Sequence, residues 1–403
     1  MQAGGGTTAQ HEHFRLLTFS TLFPSSVRPR HGIFVETRLR HLVATGRATA
    51  EVIAPVPWFP FTSKAFGHYG LVARTPLEED RFGLRVHHPR YVTIPKLGMT
   101  LQPASLAWFA AREIERLIGN GLGFDFIDAH YFYPDGVAAA TLAAKFGVPF
   151  VVTARGSDIN FIAKLEGPRR QIVAAADQAH AVVAVSEALA RGLEDLGVRR
   201  ERIVVLRNGV DATLFTPMDR SAARAALGVA GDAIIASVGN LVPEKGHDLI
   251  IAALTLIPRA NLLIVGDGPE LHHLTAQADR LGVGGRVRFI PAIPQSELRM
   301  VYSAADVLAL GSSREGWPNV VLEAMACGTP VVSFDVGGVR EIISDASVGE
   351  IVSVRSAQTM APALDRYLAE PADRSAVRRH AEKFGWDEVS DGQLRVLSAS
   401  RMQ

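Results

Sequence analysis

Glu315 and Glu323 stand eight residues apart in SSREGWPNVVLEAMACGTPVV, separated by a Gly-Trp-Pro-Asn turn. Two carboxylates so placed either serve one ligand or flank a turn that feeds a helix. Pro318 fixes its own φ, and Asn319 is a good N-cap for a helix from about Val320 to Cys327, closed by Gly328. Glu323 would then project from the second helical turn, and Glu315 would stay on the loop. Unpaired amides near residues 319–322, with the positive end of the helix dipole, favour an anion. Carboxylates accept hydrogen bonds from hydroxyls. The stretch therefore fits a phosphorylated, hydroxyl-rich ligand.

Other polar residues fall at strand ends. SVGNLVPEKGHDLI places Gly239 and Asn240 after a strand and Lys245 near the start of a helix. Glycine lets backbone approach a ligand, and the lysine can reach an oxygen anion. A βα turn with a solvated lysine accounts equally well for the spacing. VGDGPELHHL carries Gly266, Gly268 and Pro269, but Leu271 breaks a G-x-G-x-x-G pattern, and a tight turn before a helix suffices there. In the first half, IDAHYFYPDG sets His130 past a strand and Asp135 at a helix entrance. VVTARGSDIN does the same with Arg155, Gly156, Ser157 and Asp158. A packed histidine and simple caps explain these singly, whereas their coincidence at strand ends favours a ligand surface. No P-loop, G-x-S-x-G elbow or H-E-x-x-H occurs, which leaves serine-hydrolase and metalloprotease readings without support.

The elements that must position these residues are α/β. A chain of 403 residues exceeds one ordinary core, so two domains are expected. Hydrophobic content of 48% with 21% charged residues describes a folded, soluble protein. A net charge of +1 excludes a broad polyanion-binding surface, and no nucleic-acid partner is expected. Arg28, Arg30, Arg38, Arg40 and Arg47 face only Glu36 locally, as a solvated helix face or as a patch for anionic lipid or acceptor. The single cysteine, Cys327, excludes an intramolecular disulfide and multi-cysteine zinc sites, and fits a reducing compartment. No apolar run approaches the roughly 18 residues of a spanning helix. MQAGGGTTAQHEH lacks the regions of a signal peptide and reads as a disordered tail, with the cytoplasm as the expected location.

Strand candidates RLLTFS, AEVIAPV, LRVHH, FDFIDAH, PFVVTA and AVVAV alternate with helical stretches, which argues for a parallel sheet. Between Pro55 and Arg81, Pro, Gly and aromatic residues predict a long surface loop. The pattern restarts with RIVVLRNGVD and runs through AIIASVGN, NLLIVGDG, VRFIPA, DVLAL and PVVSFD. The expected divisions are a tail at 1–12, domains at 13–198 and 199–380, and terminal helices at 381–403. Two such doubly wound sheets would face one another across a cleft at their strand carboxyl ends, where open α/β folds bind ligands.

Taken in order, REGWPNVVLEAMACGTPVV, RNGVD, SVGNLVPEKG, VGDGPE and ADVLALGSSREG resemble the retaining glycosyltransferases of the GT-B fold, family 4, whose E-x7-E signature matches Glu315 and Glu323. RHGIFVE, AHYFYPDGVAAA and TARGSDI are similar to the subgroup that includes the teichuronic acid biosynthesis transferase and other bacterial polysaccharide enzymes. The resemblance implies that Lys245 binds the diphosphate of a nucleotide-sugar, Glu323 the ribose hydroxyls, and Glu315 the donor sugar near its anomeric carbon. It implies that backbone at Gly239 and Asn240, and at Gly316, Trp317, Pro318, Asn319 and Val320, surrounds the donor. Gly32 would let the first domain approach the diphosphate, and His130, Arg155 and Asp158 would line the acceptor side. The terminal helices would cross back to the first domain. Asn240 stands where the family commonly carries Arg, so one diphosphate cation is replaced or lost.

The expected reaction moves a hexose-type sugar, from UDP in the first instance, to a glycan or lipid-linked acceptor, with an anionic membrane surface as a possible partner. Departure of a diphosphate needs stabilised negative charge, which a lysine and a helix N-terminus supply without metal or cofactor. Transfer is then front-face, without a protein nucleophile, and domain closure would exclude water. Two other readings stay open: a sugar-nucleotide 2-epimerase on the same fold, and a partner subunit that kept the fold without turnover.

Overall fold

The computed structural model describes residues 12–93, 98–229 and 231–399. The expected tail lies outside the described residues except for Glu12. By internal contacts the chain divides into two compact units. One comprises Met1–Val183, Leu193–Leu206 and Ser390–Gln403, and the other Ala184–Gly192 and Arg207–Val389.

The first unit holds strands β1 (Phe14–Phe19), β2 (Ala48–Ile53), β3 (Val56–Pro57), β4 (Glu78–Arg81), β5 (Leu84–His87), β6 (Arg90–Tyr91), β7 (Phe126–His130), β8 (Phe150–Ala154), β9 (Ala181–Ala184) and β10 (Ile203–Val205). Eight of them form one sheet in the order β10-β9-β8-β7-β1-β2-β5-β4, and β3 pairs with β6 separately. β1 runs parallel to both β2 and β7, while β4 is antiparallel to β5 at the edge. Every residue of β7 and β8 is buried, as expected of central parallel strands covered on both faces. Phe14, Leu16, Phe126 and Val183 share a core cluster with Leu394 and Leu397 of the last helix, Trp386–Ala399.

The second unit holds β11 (Ile234–Val238), β12 (Asn261–Val265), β13 (Val287–Ile290), β14 (Val307–Leu310), β15 (Val331–Phe334) and β16 (Gly349–Val352). Their order is β13-β12-β11-β14-β15-β16, parallel at every pairing. This is the strand order of a doubly wound nucleotide-binding sheet, reversing between β11 and β14. Helices His247–Leu254 and Ala357–Ala369 bury Ile250, Leu254, Met360 and Leu364 against it.

The structure departs from the sequence expectations in places. Ile203–Val205, expected to open the second domain, is the edge strand of the first sheet. The segment expected to be a long loop contains β3, β4 and the helix Gly67–Val72. The arginine-rich stretch forms no continuous face, because Arg38 is only 2% exposed. Its guanidinium donates to Gln393 Oε1 (2.9 Å) and to the Leu206 carbonyl.

Candidate active site

Each sheet places its polar strand ends where its strand order reverses. In the second unit these are the loops after β11 and β14. Gly246 sits at φ 64°, and a Cβ there would lie 2.0 Å from the Gly311 carbonyl oxygen, so only glycine lets the two loops meet. The Ser313 amide donates to the Glu244 carbonyl at 2.8 Å and ties the loops again. Lys245 Nζ consequently reaches Glu315 Oε1 at 2.6 Å, and Ser312 Oγ donates to the same oxygen at 2.7 Å. The lysine stem runs over Gly239, its Cδ 3.7 Å from where a Cβ would stand. Asn240 is exposed. Its carbonyl meets Nε2 of buried His247, whose Nδ1 contacts Ser237 Oγ. Burial pushes His247 down to about 4, keeping it neutral beside Lys245.

The helix after β14 spans Asn319–Ala326. Asn319 is its first residue and not its cap. The capping position is Pro318, which has no side-chain bond to give, and Asn319 Oδ1 accepts instead from Asn208 Nδ2 at 3.2 Å. The first-turn amides are thus left without a capping side chain. Cys327 closes the helix and Gly328 follows at φ 77°. Glu323 is buried on this helix, accepting from Tyr302 Oη (2.7 Å) and Gln295 Nε2 (3.1 Å). Burial raises its pKa, and those two donors oppose the rise. The turn between the carboxylates rests on the loop after β15. The Gly338 amide donates to the Gly316 carbonyl, and a Cβ on Gly338 would strike the Trp317 ring at 2.6 Å. Trp317 is buried against Phe384, and Pro318 and Val320 complete the turn.

In the first unit the order reverses between β1 and β7. Gly32, at φ 68°, caps the helix Ile33–Ala44, and a Cβ there would lie 2.2 Å from the Leu22 carbonyl oxygen. Asp135, past β7, ties the two strand ends by accepting from the Thr21 amide at 2.7 Å and from the Thr21 and Ser20 hydroxyls. Burial pushes Asp135 up to about 8 despite these donors. His130 is fully buried. Arg155 Nη2 donates to its Nδ1 at 2.7 Å, so the ring proton resides on Nε2 and points to Asp128 Oδ2 at 3.2 Å. Gln393 donates to the same Asp128 oxygen. Burial, opposed by Asp128, takes His130 down to about 4. Burial and Arg38 take Arg155 down to about 9, and its guanidinium lies 5.1 Å from the centre of the Phe34 ring. Asp158 accepts from the amides of Phe132, Arg155, Gly156 and Ile159, so its carboxylate organises the loop.

Residues 219–384 match the family model for glycosyl transferases group 1, and residues 66–214 match that for glycosyltransferase family 4. The chain is 33% identical over 359 residues to a D-inositol 3-phosphate glycosyltransferase from Nocardia farcinica, covering 81% of this chain and 78% of that protein. A protein of the same name from Segniliparus rotundus is 32% identical over 74% of this chain and 71% of its own length. The chain belongs to the family 4 glycosyltransferases. Solved structures share the GT-B fold of the transferase. Sucrose-phosphate synthase from Thermosynechococcus elongatus superposes with a TM-score of 0.79 at 21% identity, covering 96% of this chain and 100% of that one. HepE from Anabaena, in complex with UDP and glucose, gives 0.74 at 23% identity over 96% and 100%.

Several residues around Glu315 and Glu323 escaped sequence reasoning. Gly337 and Gly338 support the Glu315 turn, and Tyr302 and Gln295 hold Glu323, yet none lies in a spacing pattern with its partner. The first unit also encloses a cavity of about 320 Å³ lined by Thr21, Arg28, His31, Tyr91, Gln102 and Tyr131, among others. Arg28 Nε is buried there without a hydrogen-bond partner among the described residues. Burial, then Arg28, pushes His31 down to about 4. Arg28 had stood out only as one member of an arginine-rich stretch.

Proposed function

We propose that this transferase moves a hexose-type sugar, with retention, from UDP to a hydroxyl of a phosphate-bearing acceptor, glycan or lipid-linked, in polysaccharide biosynthesis. The observation that carries the donor half is the Lys245–Glu315 pair at the strand-order reversal of the second sheet, beside the uncapped amides of Asn319–Ala326. An ammonium and helix amides stabilise a departing diphosphate. Glu315, already within reach of Lys245 and Ser312, contacts the sugar once phosphate takes over the lysine. Glu323 presents its remaining acceptor capacity to the ribose. Charge on the leaving group is met by these groups, so the reading calls for no metal at the diphosphate.

The acceptor half rests on the first unit. Arg28 in its cavity and the Arg155–His130 pair favour an anionic group. The relatives' printed name, which includes an inositol phosphate, supports a phosphorylated polyol or a lipid phosphate as the chemical class. The resemblance of AHYFYPDGVAAA and TARGSDI to the teichuronic acid transferase subgroup supports a surface-polysaccharide role. Among the described residues no helix is long and apolar enough to cross a membrane. Trp58 and Phe61, 55% and 54% exposed, lie close in sequence to Lys64, and Arg74 donates to the neighbouring Thr62 carbonyl; together they support peripheral contact with an anionic leaflet on the cytoplasmic side.

The test is a panel of nucleotide-hexoses incubated with phosphorylated and unphosphorylated acceptors, the product's anomeric proton being read by NMR. An α-linked product from an α-donor, formed only with a phosphorylated acceptor, supports the reading. An inverted product would overturn retention, and equal use of unphosphorylated acceptors would overturn the acceptor class.

A further inference from the structure

At the β4–β5 edge of the first sheet, His87 and His88 are adjacent, buried and served very differently. His88 uses both ring nitrogens, Nδ1 meeting the Ala54 carbonyl at 2.9 Å and Nε2 meeting Glu79 at 2.8 Å. His87 uses one. Its Nε2 lies 2.6 Å from Glu51 Oε1 on β2, whereas its buried Nδ1 has no hydrogen-bond partner among the described residues. That Nδ1 points between two carboxylates, Glu113 Oε1 at 3.4 Å and Glu78 Oε1 at 3.5 Å. With Nε2–H donated to Glu51, Nδ1 presents a lone pair toward two anionic oxygens. Arg116 Nη2 meets both of those oxygens but leaves Nδ1 unbonded, and a metal ion among the three would bond it as well.

We infer that Glu78, His87 and Glu113 form a binding site for a divalent transition-metal ion of the zinc type. Zinc bonds to imidazole nitrogen and carboxylate oxygen at about 2.0–2.2 Å, which at tetrahedral angles separates ligand atoms by about 3.3–3.5 Å. The distances from His87 Nδ1 to the two carboxylates match that edge length, and all three ligand atoms lie within 4.8 Å of one another. A metal-bound histidine characteristically donates its other N–H to a carboxylate, fixing tautomer and ring orientation, and Glu51 stands in that position. The side chains of Glu78 and Glu113 are 51% and 20% exposed, which leaves an entry path and room for water as a fourth ligand. Bound there, the ion joins the β4–β5 hairpin to the helix Gln102–Gly119. Arg116 Nη2 bridges the same two carboxylates, 2.5 and 2.6 Å away, and is the cation that the metal must displace. The site is independent of sugar transfer.

The experiment titrates the full chain, stripped with chelator, with Zn²⁺ alone by calorimetry, and with Co²⁺ by visible absorption. The expected result is one equivalent bound, a tetrahedral Co²⁺ spectrum and a melting temperature that climbs with Zn²⁺ concentration. Glu113→Gln and Glu78→Gln, both at accessible side chains, should each weaken that equivalent by about tenfold or more, and Glu51→Gln by about tenfold. Arg116→Gln should tighten it. Absence of binding at micromolar Zn²⁺ would overturn the inference. So would binding left unchanged by Glu113→Gln and Glu78→Gln, since the metal would then sit on other histidines.

Discussion

The polar strand ends of the two units differ in how fully they are already satisfied. In the second unit Lys245 and Glu315 hold one another through a single contact, with 29% and 10% of their side chains exposed. A ligand can exchange that contact for its own. In the first unit Asp158 spends its carboxylate on four backbone amides, and His130 sits in a chain running from Arg155 through Asp128 and Gln393 to Arg38. Those groups are held by the fold. Substitution of Lys245 should therefore change rates, and substitution of Asp158 or His130 should change stability.

Lys245→Ala breaks the comparison if it is mistaken. It should lower kcat about a hundredfold to a thousandfold, the size of one lost charge-stabilising donor, while the melting temperature barely moves. A steady-state UDP-release assay alongside a thermal melt reads both. Asp158→Ala should do the reverse, costing about 4 kcal/mol in urea unfolding because buried amides lose their acceptor. A variant as stable as wild type would put Asp158 with the exchangeable groups.

Acid should act on the fold through its buried histidines. His31, His130 and His247 each titrate near 4 in the fold, below the usual 6.5, so the unfolded chain takes up their protons first. Their contribution is present above about 6.5 and is lost as pH falls toward 4. Asp135, raised to about 8, acts with the opposite sign, since the fold holds its proton across that window. Among these four groups the three histidines outweigh Asp135, a net loss on the order of 2–3 kcal/mol between pH 7 and 5. Urea midpoints at the two pH values measure it. His130→Gln should flatten the slope. The smallest effect is expected at Arg28→Ala, which should raise the KM for a phosphorylated acceptor about tenfold and leave the donor KM unchanged. An equal change in both would place Arg28 outside acceptor recognition.

Much of the Glu315–Glu323 segment was legible because it is local. Glu315, the turn and Glu323 lie within one loop and one helix, where capping and period speak directly. Even there Asn319 misled, because its side chain found Asn208, more than a hundred residues away in sequence, rather than its own helix. The first unit was legible in its strands but not in its pairings. A buried arginine such as Arg38 reads like any surface arginine until Gln393, from the far end of the chain, is seen to satisfy it. Ile203–Val205 carries a strand pattern with no mark of which sheet it joins. His87 and His88 look equivalent in the sequence, and only the alternation of a strand sends them to different neighbours.

The contribution of Lys245 and the turn at Asn319 to holding the donor is tested most directly by a crystal structure of the protein with UDP. The expected result is a diphosphate oxygen within about 3 Å of Lys245 Nζ, with another at the first amides of Asn319–Ala326 and the ribose hydroxyls on Glu323. UDP seated elsewhere, with Lys245 still paired to Glu315, would contradict it.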